Sequence, residues 1–264
     1  MTRNTPIPKL APEDQDWVRR LVVHEDAALL VFNKPSGLPV QTRGNRGKTL
    51  DHLLWAFAKS NGKRPHLVHR LDSGTSGLII AGRTKPAIAA LSEAFASRDV
   101  KKTYLAAVAG RPKKDAGTCS GRIVKAGRKV SVTAKPDTGD RSRTDWSLIP
   151  PSTETHTLLM AIPYTGRMHQ IRAHFADMNC PIVGDTLYGA AAERVDNAVH
   201  RAVNRGVDSA VDNASDAECR LMLHAWRLDV PHPNGGRLVL EAPLPDDFQK
   251  GLEALGLQLP PGNV

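Results

Sequence analysis

The sequence predicts an α+β fold, one domain on a mixed, mainly antiparallel β-sheet with flanking helices and loops. Three observations predict it. Short apolar or alternating runs of strand type recur along most of the chain. Helical patterns fall between them irregularly, not after each strand as a βαβ array requires. No G-x-G-x-x-G or G-x-x-x-x-G-K-[ST] loop occurs, so dinucleotide-binding and P-loop folds lack their phosphate loops.

Residues 1–16 carry three prolines and mixed charge and read as a loose arm. Residues 28–33 (ALLVFN) form an apolar run that ends at Asn33-Lys34-Pro35-Ser36-Gly37, a buried strand entering a turn. Thr49 is an N-cap for a helix over 50–60, with Leu50, Leu53, Leu54 and Phe57 on one face. Residues 78–81 read as a second buried strand closed by Gly82. Thr84 caps the next helix, with Pro86 in its first turn and Ala90, Leu91 and Phe95 inward. Residues 103–108 read as a strand, and 121–149 as short strands joined by basic turns. A strand over 157–162 stops at Pro163. Residues 168–178 have helical spacing through Met168, Ile171 and Phe175. Residues 221–230 and 237–240 alternate like strands, and a last helix follows Pro245.

The chain has 264 residues, 41 % of them apolar and 24 % charged, a balance that supports a packed core. The expected organisation is an arm (1–18), a catalytic domain (19–255) with a variable insertion at 190–218, and a tail (256–264). Cys119, Cys180 and Cys219 are widely spaced and form no C-x-x-C, which disfavours a disulfide framework or a zinc site and fits a reducing cytoplasm. No apolar run is long enough to span a membrane, and residues 1–16 have no signal-peptide core. The formal net charge is +9, which points to a polyanionic partner. Residues 98–143 hold thirteen Lys/Arg against four Asp, an electrostatic footprint for phosphates.

Three segments carry chemistry. The first is His69-Arg70-Leu71-Asp72-Ser73-Gly74-Thr75-Ser76-Gly77-Leu78, one carboxylate among small residues just before a buried strand. Read alone, it is better explained by an Asp that hydrogen-bonds its own loop amides. The second is Thr165-Gly166-Arg167-Met168-His169-Gln170-Ile171-Arg172-Ala173-His174. On a helix His169 and Arg172 share a face, as do Gln170 and His174. The histidines lack zincin spacing. No acid offsets the cations at this helix start, which suits a bound anion. The third is Lys101-Lys102-Thr103-Tyr104, where Lys102 and Tyr104 share a strand face and Tyr104 is either half buried or free to stack on a base.

Together these segments resemble the RluA-type RNA pseudouridine synthases. HRLDSGTSGLII matches that family's H-R-L-D-x-x-T-S-G-L, and residues 29–38 resemble its N-K-P-x-G-L segment. Lys102-Thr103-Tyr104 matches its K-x-Y. TGRMHQIRAHFA with Pro181-Ile182-Val183-Gly184-Asp185 and Tyr188-Gly189 matches its T-G-R-x-H-Q-I-R-x-H and P-I-x-G-D-x-x-Y-G blocks. Leu223-His224-Ala225 and Pro243-Leu244-Pro245 resemble its L-H-A and P-L-P motifs. The resemblance covers about residues 20–250. It implies a pseudouridine synthase fold and an isomerase that converts uridine to pseudouridine in structured ribosomal or transfer RNA. Asp72 then falls on the essential Asp, Tyr104 on the Tyr that stacks on the target base, and Arg172 on the basic partner of the Asp. Arg70 falls on an Arg that enters the RNA stack, and Arg167 and His169 on RNA-facing positions. Lys101 and Lys102 are further RNA-binding candidates. No metal or organic cofactor is implied, and the expected state is a cytoplasmic monomer. The family's frequent N-terminal S4-type domain has no counterpart here, so the basic stretch would bind RNA. Whether Asp72 attacks C1′ or C6 or takes the C2′ proton stays open.

Two other classes compete. A glycoside-hydrolase-like enzyme would need two carboxylates flanking the scissile bond. Its second candidate, Asp185, reads better as structural. A non-catalytic RNA-binding factor would not need Asp72, Tyr104 and Arg172 together.

Overall fold

The computed structural model describes residues 8–42, 48–189 and 220–259. The expected insertion at 190–218 lies outside the described residues. The chain forms two compact units. One comprises the chain up to Val100 with Leu228–Ala242, and the other Lys101–Arg227 with the chain from Pro243 onward. The sheet is mixed and mostly antiparallel, with few helices, as the sequence predicts.

In the first unit the strands are β1 (Val22–Glu25), β2 (Leu29–Lys34), β3 (His66–Leu67) and β4 (Ser76–Gly82). β2 lies between β1 and β4, with Leu29 opposite Gly82 and Lys34 opposite Gly77. β3 pairs with the far end of β4. Every residue of β4 is buried, which explains its continuous apolar run. Helix α1 (Pro12–Arg20) and the short α2 (Leu50–Leu53) pack together, and α3 (Lys85–Ala96) covers β4. Leu29, Val31, Leu78 and Ile80 form a core with Leu91 and Ala94 of α3. Gly82 permits the close approach, because a Cβ there would lie 2.9 Å from the Ile88 backbone.

The second unit holds β5 (Lys101–Ala109), β6 (Ala116–Ala126), β7 (Lys129–Thr133), β8 (Asp140–Ile149) and β9 (His156–Pro163), in the spatial order β5-β9-β8-β6-β7. Helices α4 (Gln170–Asp177) and α5 (Asp246–Ala254) pack on it through Ile171, Phe175, Phe248 and Leu252. Strand β10 (Leu223–Pro231) lies beside β5, and its last residues belong with β11 (Arg237–Glu241) to the first unit.

Five local expectations change. The described end of the arm is helical from Pro12. Proline suits a first helical position, Glu13 and Asp14 lie in the first turn, and Arg19 and Arg20 in the last, all favourable to the helix dipole. The helix expected over 50–60 is one α-turn, capped by Thr49 as foreseen, that tightens into a 3-10 turn over Leu54–Phe57. On α3 the inward face is Ala87, Leu91 and Ala94, and Ala90 is exposed. The short strands of 121–149 are longer: β6 and β8 run 11 and 10 residues. Leu257, in the expected tail, is fully buried in the second unit's core. Among the described residues no helix is long and apolar enough to cross a membrane.

Candidate active site

Asp72 sits in the loop between β3 and β4, half-buried, with Arg70 exposed and Leu71 buried. The loop backbone is held from outside itself. Lys34 ends β2 with no solvent exposure, and its ammonium donates to the carbonyls of Pro35 at 2.9 Å, Leu38 at 2.8 Å and Ser73 at 2.9 Å. A buried ammonium is tolerable only when its donors are satisfied, so these carbonyls and the cation require one another. Ser73 Oγ donates to the Gly37 carbonyl at 3.0 Å, the Gly37 amide donates to the Ser73 carbonyl at 3.0 Å, and Ser36 Oγ donates to the Gly74 carbonyl at 2.7 Å. Within the loop the Thr75 amide donates to the Asp72 carbonyl at 3.1 Å. Gly77 closes it at φ 108°, a backbone geometry that favours glycine. His69 is a positioning group. Its Nε2 accepts the Ile80 amide at 3.1 Å, and its ring stacks on Phe95 at 4.4 Å.

The other candidates lie in the second unit. Tyr104 is half-buried on β5, opposite Ala161, and Lys102 is half-buried on the same strand face while Thr103 is buried. Burial holds the Lys102 ammonium below its ordinary pKa. Lys101 is exposed.

The T-G-R-x-H-Q-I-R block does not form the helix start expected from its spacing. His169 adopts φ 52°, ψ 25°, so the helix begins at Gln170 and His169 shares no helical face with Arg172. Gln170 is buried and makes four bonds. Its Oε1 accepts Thr165 Oγ1 at 2.6 Å and the Arg167 amide at 3.1 Å, and its Nε2 donates to the Arg143 carbonyl and to Thr144 Oγ1, both at 3.0 Å. This clamps the turn after β9 onto β8.

Arg172 is 8 % exposed. Its Nε and Nη2 each donate to an Asp185 oxygen at 2.7 Å, a bidentate pair. Asp185, whose side chain is fully buried, also accepts the amides of Leu187 at 3.0 Å and Tyr188 at 3.1 Å. Asp185 thus fixes one edge of the Arg172 guanidinium. The Tyr188 ring lies 5.2 Å from that guanidinium, and its hydroxyl accepts the Val130 amide at 2.8 Å and is hydrogen-bonded to His169 Nδ1 at 3.1 Å. One tyrosine therefore joins α4, the 185–189 turn and the β6–β7 hairpin. Arg167 is partly exposed, with Nε 3.4 Å from the Arg141 carbonyl.

Lys34 and Tyr188 are the residues whose structural work residue-by-residue reading missed, while Asp185 is structural as expected and its pairing with Arg172 is new. All three stand in the segments that resembled the family. A Lys ending an otherwise apolar strand was the available signal for the first. Among the described residues no group of three or more His, Cys, Asp or Glu is placed to hold a metal.

The arrangement defines a pseudouridine synthase fold. A human structure, RNA Pseudouridylate Synthase Domain Containing 4, superposes with a TM-score of 0.72 at 25 % identity, covering 93 % of this chain and 97 % of that one. The RNA pseudouridylate synthase family model matches residues 28–177. The chain belongs to this family of isomerases, which convert uridine to pseudouridine in RNA. Ribosomal large subunit pseudouridine synthase D of Nitrosomonas europaea is 34 % identical over 89 % of this chain. That of Xanthomonas campestris pv. campestris is 36 % identical over 93 %. An RNA pseudouridine synthase of Zymomonas mobilis is 32 % identical over 86 % of this chain and 94 % of its own length. The chain spans 64 % and 71 % of the first two relatives' lengths.

Proposed function

We propose that this protein isomerises one or more uridines of structured RNA, ribosomal or transfer, with Asp72 as the catalytic carboxylate and without a cofactor. Ribosomal RNA is favoured by the names of its relatives. The observation that carries the reading is that the family match over residues 28–177 contains Asp72, Tyr104 and Arg172. The catalytic domain is residues 19–255, and it acts as a cytoplasmic monomer.

The reaction breaks C1′–N1, turns the uracil and joins C5 to C1′, after which the C5 proton leaves. The nucleotide must leave the stack first. Arg70, exposed beside Asp72, offsets part of the unstacking as a wedge. Tyr104 stacks on the extruded base. Arg172, oriented by Asp185, fills the basic position that the resemblance to the family implies. Lys101, Lys102, Arg167 and His169 meet the RNA around the target.

The test is release of tritium from unmodified RNA labelled at uracil C5, since C5 loses its hydrogen when it bonds to C1′. Wild type should release it. Asp72→Asn should lose at least about 10³-fold in kcat, roughly 4 kcal/mol, with RNA affinity kept. An active Asp72→Asn variant removes Asp72 from the chemistry. A wild type that binds RNA but releases no tritium from ribosomal or transfer RNA leaves a binding module.

A further inference from the structure

Tyr164 is the one exposed aromatic side chain among the described residues' exposed large hydrophobics, at 48 % exposure, and the function above gives it no work. It follows β9 in the turn that Gln170 clamps to β8. Its amide donates to the Arg143 carbonyl at 3.0 Å, and the Arg143 amide donates to Thr165 Oγ1 at 3.1 Å. The backbone under the ring is therefore fixed from both sides. One face of the ring is taken, with the Arg143 guanidinium 4.6 Å from its centroid. That guanidinium is itself fixed, since Nε and Nη2 donate to the two Asp145 oxygens at 3.1 and 3.0 Å, and Asp145 also accepts Thr118 Oγ1 at 2.7 Å. Arg143 in turn holds the Asp145 carboxyl below the usual range. Both side chains are thus ordered before any ligand arrives, which lowers the entropy cost of binding.

Arg141 and Arg143 lie on the outward face of β8 and Arg167 in the same turn, with Arg143 paired to Asp145 and Arg167 3.8 Å from Asp140. An exposed, pre-ordered aromatic beside cations is how proteins hold unstacked bases in a phosphate-bearing strand. Tyr164 lies three residues past Ala161, which pairs with Tyr104, so at most about 10 Å of chain plus one strand spacing of about 5 Å separates it from Tyr104.

We propose that Tyr164, backed by Arg143, is a second stacking subsite that holds an unpaired base of the RNA near the target uridine. The proposal rests on the function above for the identity of the RNA. A base laid on the open face of the ring gains stacking energy that does not depend on salt, while Arg143 and Arg141 meet the flanking phosphates.

The test uses the full chain with unmodified, C5-tritiated transcripts of ribosomal and transfer RNA, read by filter binding and by tritium release. Tyr164→Ala should weaken binding and raise KM by about tenfold, with kcat at saturation within about twofold. The slope of log affinity against log salt should not change. Tyr164→Phe should behave as wild type, and Tyr164→Leu, which keeps apolar bulk without a π face, should lose as much as Ala. Unchanged affinity and KM in both Tyr164→Ala and Tyr164→Leu overturns the subsite. So does a Tyr164→Phe variant as weak as Tyr164→Ala, which would make the hydroxyl structural. If wild type binds RNA but releases no tritium, the isomerase reading fails while the affinities still decide the subsite.

Discussion

At the scale of single residues, several buried polar side chains of the described residues carry two or more hydrogen bonds each. His174 shows it best. It is 1 % exposed, with Nε2 2.9 Å from Ser142 Oγ and Nδ1 2.9 Å from Thr144 Oγ1. Ser142 already donates to the Gly121 carbonyl, and Thr144 already accepts from Gln170. Ser142 must therefore accept from Nε2–H, an arrangement that the neutral ring completes by accepting from Thr144 at Nδ1. Burial pushes the same way and lowers the imidazole pKa from 6.5 to about 4. The unfolded chain then binds the extra proton first as pH falls, so this contribution is complete above about pH 6.5 and lost between 6.5 and 4. Between pH 7 and pH 5 wild type should lose about 2 kcal/mol more unfolding free energy than His174→Gln, measured by urea denaturation. Equal losses would mean that His174 does not titrate in this window.

At the scale of elements, α4 and the β6–β7 hairpin behave as one piece. Ala173 packs against Ile123 and Val130, and Tyr188 bonds both the hairpin backbone and His169. Asp185 anchors this piece by pairing with Arg172. Removing one member of a buried pair leaves the other charged and uncompensated. Asp185→Ala should therefore cost about 3–5 kcal/mol of stability, seen as a lower urea midpoint, and should abolish tritium release. A loss below about 1 kcal/mol would show that Arg172 finds water or another acceptor.

At the scale of the whole molecule, the charge of +9 is concentrated where a polyanion can reach it. Lys125, Arg128 and Lys129 are exposed around the β6–β7 turn, and Arg141 and Arg143 are exposed on β8. Each cation that neutralises a phosphate releases condensed counterion, so affinity should fall linearly on a log–log plot against salt. Replacing Lys125, Arg128 and Lys129 together by Ala should reduce that slope by about 2 to 3. An unchanged slope would place the RNA elsewhere on the surface.

The sequence by itself determined the class of fold, most element positions and the residues expected to act, because strand burial, caps and motif spacing are local or nearly local properties. Thr49 and Thr84 cap their helices through their own hydroxyls, and the buried strand β4 reads from the apolar run 78–81. It did not show why the Asp72 loop keeps its shape, since Lys34 reaches Ser73 across 39 residues. Nor did it place His169 outside the helix, because a left-handed residue at that turn is compensated by contacts with Tyr188, 19 residues on. Those pairings are long-range and depend on burial. A carboxylate, an arginine and a lysine can be named from the chain, but which buried charge meets which partner is settled only when folding removes them from water.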